Sequence, residues 1–129
     1  MIKLKYYMLC LYFIAGTFFW PFSVYAATSE KTVNAAWCLL NNGIEEFRTK
    51  YGTYVDCLTD KYAVEAEFDY NWKESIGQSL HYAEATKKDA AILFIHRKDS
   101  NKNYLLELQN VIEAFKLPIK IFEIDQQVN

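Results

Sequence analysis

The chain has 129 residues, enough for one modest domain with its own core and too few for two. Aromatic residues make up 17% of it and only four glycines occur, which excludes a disordered or low-complexity chain. A formal net charge of −2 counts against a protein that coats nucleic acid through a broadly basic surface.

The first elements concern export. Lys3 and Lys5 precede an apolar run from Tyr6 to Phe22, broken by Pro21, and Val24 and Ala26 stand where signal peptidase reads. This is the layout of a secretory signal peptide over residues 1–26, cut after Ala26. The run is nearly long enough to be an uncleaved membrane anchor, but Pro21 and the Val-x-Ala ending fit processing better. The expectation is an exported protein, periplasmic or secreted, with a single domain at 27–129 and no stable membrane association after cleavage. Loss of Lys3 and Lys5 leaves that domain more acidic still.

Export gives the cysteines a meaning. Cys38 and Cys57 remain, an even pair that in an oxidising compartment points to a disulfide contributing about 3 kcal/mol. Two buried thiols are the alternative. Two cysteines with the scattered His81 and His96 lack the ligand spacing of a zinc site.

From there the spacing predicts a helix over Thr32–Asn42, stopped at Gly43. Strands follow at Ile44–Thr49, Thr53–Asp60 and Tyr62–Asp69, the last two rich in β-branched and aromatic residues. A helix from Asn71 to Lys88 puts Trp72, Ile76, Leu80 and Ala83 on one apolar stripe, with Asp69 or Asn71 as its cap and Gly77 allowing close packing on the sheet. Ala90–Arg97 is a continuous apolar run, as in a strand buried on both faces. An amphipathic helix over Asn101–Leu117, stopped by Pro118, leads into a last strand ending at Asp125. The order α-β-β-β-α-β-α-β predicts an α/β (α+β) layered domain. Arg97, Lys98 and Lys102 form a small basic cluster, either a solvated loop or a phosphate contact.

Three carboxylates interrupt the most strand-like segment. A turn centred on Asp60–Lys61 sets Leu58 opposite Ala63 and Asp56 opposite Glu65, about 5 Å apart at Cβ. Glu65 and Glu67 share a face, while Val64, Ala66 and Phe68 point into the core. Opposed like charges repel, so a divalent cation with hard oxygen ligands, a protonated carboxyl or a well-solvated face is needed.

An Asp on one strand, then an acid-x-polar element on the next, inside an α-β-β-β-α-β run, resembles the PD-(D/E)XK nuclease superfamily. The resemblance implies a restriction-endonuclease-like core with one further helix and strand. It also implies hydrolysis of phosphodiester bonds in nucleic acid with Mg²⁺ or Mn²⁺. Asp56 matches the metal-binding Asp and Glu65 the first acid of the (D/E)XK element, with Glu67 as a third ligand. Gln78 and Tyr82, in "QSLHY", match the Gln-x-x-x-Tyr element of one branch, and Glu46 is a further acidic candidate. Where the family has lysine, this chain has Glu67. Lys73 is the replacement candidate for orienting the attacking water, yet it lies about 140° around the helix from Gln78. The catalytic set implied is therefore Glu65, Lys73 and Gln78. Trp37–Cys38, "VDCLT" and "IGQSLHYA" also resemble a group of small, mostly uncharacterised bacterial proteins. Small nucleases often pair to cut two strands, which makes a homodimer a candidate assembly. A non-catalytic binding domain on the same fold is the alternative, favoured by the acidic charge and the missing lysine.

Overall fold

The computed structural model describes residues 28–100 and 102–126. The expected signal peptide at 1–26 lies outside the described residues. The elements are α1 (Glu30–Leu40), β1 (Ile44–Arg48), β2 (Tyr54–Leu58), β3 (Tyr62–Phe68), α2 (Trp72–Thr86), β4 (Asp89–His96), α3 (Tyr104–Phe115) and β5 (Ile119–Asp125). A 3₁₀ turn at Asp69–Asn71 precedes α2. The described residues thus form a mixed α+β structure, one five-stranded sheet and three α-helices, in the order the sequence predicts.

The strands lie in the order β1-β2-β3-β4-β5. The first three are joined antiparallel by tight turns, and β3, β4 and β5 run parallel through the α2 and α3 crossovers. Strand β4 is apolar on both faces because both are covered. Ala91, Leu93 and Ile95 pack with Val33 and Cys38 of α1. Ala90, Ile92 and Phe94 pack with Trp72 of α2 and Leu108 of α3, and Ile76, Leu80 and Ala83 join them as the predicted stripe.

Helix α1 starts two residues earlier than its spacing suggests. Ser29 Oγ accepts the Thr32 N–H at 3.2 Å, which caps the helix and brings Glu30 into its first turn. The expected cap of α2 fails, because Asn71 and Asp69 are drawn into other pairs. Asn71 Nδ2 donates to Glu67 Oε1, and Asp69 accepts from Arg97. Helix α2 ends at Lys87, left-handed at φ 60°, whose N–H returns to Ala83 O.

Cys38 of α1 and Cys57 of β2 are bonded, with Cα atoms 5.6 Å apart. Gly43 closes α1 as predicted, its N–H returning to Cys38 O at 2.9 Å, and the disulfide explains why the residue is glycine. The left-handed residue after α1 is Asn42, at φ 53°. A Cβ on Gly43 would lie 2.3 Å from Cys57 Sγ and 2.7 Å from Cys38 Sγ. Gly43→Ala is therefore expected to destabilise the oxidised protein by about 1–3 kcal/mol, measured by chemical denaturation, and to matter less once the disulfide is reduced.

Gly77 does not serve close packing. It sits on the exposed face of α2, and a Cβ there meets nothing within 4 Å. Gly77→Ala is expected to stabilise the protein by about 0.5–1 kcal/mol, read from the denaturation midpoint.

Candidate functional site

The β2–β3 hairpin has the predicted register. Thr59 and Tyr62 close the turn, and Leu58 faces Ala63 and Cys57 faces Val64. One step further the backbone ladder stops. The Ala66 N–H, which an ordinary strand partner would satisfy, donates instead to Asp56 Oδ2 at 2.8 Å. The Asp56 carbonyl accepts from Asn34 Nδ2 of α1 at 2.9 Å. The two strands part at Asp56, and a carboxylate stands in for backbone.

Carboxyl groups gather at that opening. Continuing the register sets Asp56 across from Glu65, and their side chains hydrogen-bond to each other. Glu65 is 4% exposed, and its Oε2 has no partner. Glu67 is half-buried, and its Oε1 accepts from the Phe68 N–H at 2.9 Å and Asn71 Nδ2 at 3.2 Å. From α1, the Glu30 carboxyl hydrogen-bonds to that of Glu67. Gln78 and Tyr82, one turn apart on α2, meet, and Tyr82 reaches Glu65. Glu46 lies across β1 from Asp56 in left-handed backbone at φ 51°, an uncommon state for a non-glycine residue, and pairs with Lys31 at 3.4 Å.

Burial and like charge govern the electrostatics. Burial, then the charge of Asp56, pushes Glu65 up to about 9. Burial, then the hydrogen bond and charge of Glu67, pushes Glu30 up to about 8. Asp56 is raised too, first by burial, although the Ala66 N–H pulls it back. Tyr82 is pushed up to about 12 by burial and by the charges of Glu65 and Asp56, so its hydroxyl keeps its proton. A carboxyl whose pKa is higher folded than unfolded holds its proton better in the folded state. Stability then falls as pH rises from the ordinary value of 4.5 through the folded values of about 8 and about 9. The metal-free protein is expected to melt at a lower temperature near pH 8 than near pH 5, as scanning calorimetry across that window would record.

This donor set fits a hard divalent cation. All the groups are oxygens, they repel one another when ionised, and one buried oxygen lacks a partner. Among the described residues no three His, Cys, Asp or Glu side chains are gathered as a metal-ligand group. A cation here would rest on the Asp56–Glu65 pair and water, and one or two carboxylates are what Mg²⁺ commonly takes from a protein.

The predicted residues thus divide. Asp56, Glu65, Glu67, Gln78 and Tyr82 come together, with Glu46 at the rim. Lys73 is exposed; its ammonium lies 5.5 Å from the Trp72 ring centroid and pairs with no carboxylate among the described residues. His81 and His96 have surface partners, Thr53 at 2.9 Å and Glu123 at 3.0 Å. Glu30 is not legible as a site residue when the spacing starts α1 at Thr32. The available signal was Ser29 followed directly by an acid, a cap pattern.

No family model and no solved structure matches the chain. A protein of Acanthamoeba polyphaga mimivirus, described as KilA-N domain-containing, is 35% identical over 81 residues. The match takes in 63% of this chain and 22% of that protein. The chain therefore spans less than a quarter of the relative's length, and the relative's name states a domain without a reaction or a substrate.

Proposed function

We propose that the chain is an exported, metal-dependent phosphodiester hydrolase of the PD-(D/E)XK type, acting on nucleic acid. The observation that carries this reading is the parting of β2 and β3 at Asp56. The buried Glu65 carboxyl, with one unpartnered oxygen, lies against Asp56 in the gap. The α-β-β-β-α-β run from α1 to β4 supports the restriction-endonuclease-like assignment. The Cys38–Cys57 bond supports an oxidising compartment.

Asp56 and Glu65 would hold Mg²⁺ or Mn²⁺, with Glu67 and Glu30 facing its water shell and Glu46 at the edge. Once bound, the ion supplies a water of lowered pKa and positive charge for the phosphate in an in-line displacement. The chain's own part is positioning. Asp56 is fixed at both ends, its carboxylate by the Ala66 N–H and its carbonyl by Asn34. Tyr82 keeps its proton and donates to Glu65, which aims that carboxyl. Gln78 is exposed beside Tyr82 and would contact the phosphate or a water. Lys73 would orient the attacking water only with its ammonium moved off Trp72.

The test incubates the oxidised protein with Mg²⁺ or Mn²⁺ and labelled single- and double-stranded DNA and RNA, beside calorimetric titration of each metal. Metal-dependent cleavage is the expected result. Glu67 in the lysine position and Lys73 against Trp72 favour the second reading, a non-catalytic binding domain. Neither cleavage nor metal binding would establish it.

A further inference from the structure

We infer that an aromatic–cation column, Phe68–Tyr70–Arg97, on one side of the carboxylates and the exposed Tyr54 and Arg48 on the other hold a single-stranded nucleic acid across the site. For the class of ligand, this rests on the phosphodiester-hydrolysis reading.

The first of these is a built column. The Phe68 and Tyr70 rings lie 6.1 Å apart and 13° from parallel, and the Arg97 guanidinium sits 4.4 Å from the Tyr70 centroid. Arg97 is fixed there by Asp69, whose Oδ1 accepts from Nε at 2.7 Å. Asp69 is only 2% exposed. Burial raises its pKa, but hydrogen bonds from Ser100 and Arg97 outweigh this and hold it below the ordinary range. A buried carboxylate devoted to a half-exposed arginine fixes a planar cation at the end of a ring stack. The column borders the site directly, because the turn carrying Tyr70 is the one whose Phe68 N–H and Asn71 amide hold Glu67. Beyond the guanidinium lies a cavity of about 140 Å³, lined among others by Ser100, Lys102 and Tyr104. A base extends the stack on the guanidinium plane, and its phosphate meets Lys102.

The second contact surface, an exposed ring with a cation opposite it on the next strand, lies past the other edge of the cluster. Glu46 falls between the Glu45–Cys57 and Phe47–Val55 pairs, level with Asp56, and two residues along, about 7 Å away, Arg48 pairs with Tyr54. Phe47 and Val55 turn towards Tyr82, so Arg48 and Tyr54 stand on the side where Glu46 meets Lys31. Tyr54 is 50% exposed, and Arg48 has no ion-pair partner among the described residues.

Stacking platforms with a few local cations suit unpaired bases, whose faces are free. A duplex hides those faces, and capturing its regular charge calls for a basic surface that this acidic chain lacks.

The experiment measures fluorescence anisotropy of labelled oligothymidylate and oligouridylate of about 12 nucleotides, and of a matched duplex, in EDTA so that nothing is cut. The oxidised parent is compared with Tyr54→Ala and Tyr70→Ala, both checked by circular dichroism. Expected are single strands bound at least about tenfold tighter than duplex, and roughly tenfold loss with each tyrosine replaced. Duplex bound as tightly as single strand would overturn the inference, as would folded tyrosine variants that bind single strands like the parent. Cleavage is assayed in parallel with metal. Duplex cutting without single-strand binding refutes this inference and leaves the hydrolase. Tyrosine-dependent binding without any cutting keeps the surface and refutes hydrolysis.

Discussion

Glu65→Gln is expected to lower metal-dependent cleavage by at least about 100-fold and, in the same protein, to raise the melting temperature of the metal-free form at pH 8. The two effects have opposite signs because one carboxyl has two parts to play. As a ligand it must be anionic, and an amide is a poor substitute for a charged oxygen towards Mg²⁺. As a buried group facing Asp56, Glu67 and Glu30, its anion is disfavoured by burial first and by those neighbours next. Glutamine has nearly the same shape, carries no charge, and offers an N–H to Asp56. The stabilisation should be about 1–3 kcal/mol near pH 8. Near pH 5 it should shrink, because Glu65, pushed up to about 9, already holds its proton there. Circular-dichroism melting at both pH values, with cleavage rates at saturating Mg²⁺, reads both effects. Lost cleavage with a lower melting temperature would mean a damaged fold. Undiminished cleavage would take Glu65 out of the site.

What could be read beforehand followed from local periodicity. The β2–β3 register was legible because Thr59 and Tyr62 mark the turn, and alternation then fixes Asp56 against Glu65. The α2 stripe was legible because burial on β4 demands it. Alternation does not show that the ladder breaks at Asp56, where its own side chain takes the Ala66 N–H and Asn34, 22 residues earlier, holds its carbonyl. Glu30 was hidden for the same reason: its partner Glu67 is brought to it by the fold. Gly43 shows only half of its role in the sequence, because ending α1 and leaving room for a disulfide ask for the same residue. Lys73 shows the limit of motif transfer. Spacing can nominate a lysine, but the packing beside Trp72 decides where its ammonium rests.

Replacing Cys38 and Cys57 together by serine is expected to destabilise the protein by about 3 kcal/mol, the chain-entropy value for a loop of this length, where the cysteines are 19 residues apart. A small domain has only about 5–15 kcal/mol in total, so a fall of roughly 10–20 °C in melting temperature should follow. The consequence for the site is more specific. The bond fastens α1 to β2 at Cys57, next to Asp56, and the same helix supplies Asn34 to the Asp56 carbonyl and Glu30 to Glu67. Loosening α1 therefore relaxes the parting of β2 and β3 before it unfolds the sheet, whose β3, β4 and β5 are paired independently of α1. Metal-dependent cleavage should accordingly fall in reductant at temperatures where circular dichroism still reports a folded protein. The check is a pair of curves, cleavage rate and ellipticity against temperature, with and without reductant. If the cleavage curve moves well below the unfolding curve, α1 organises the carboxylates and the site works only where the disulfide forms. If the two curves move together, the bond supports the domain as a whole and the carboxylates do not depend on α1 in particular.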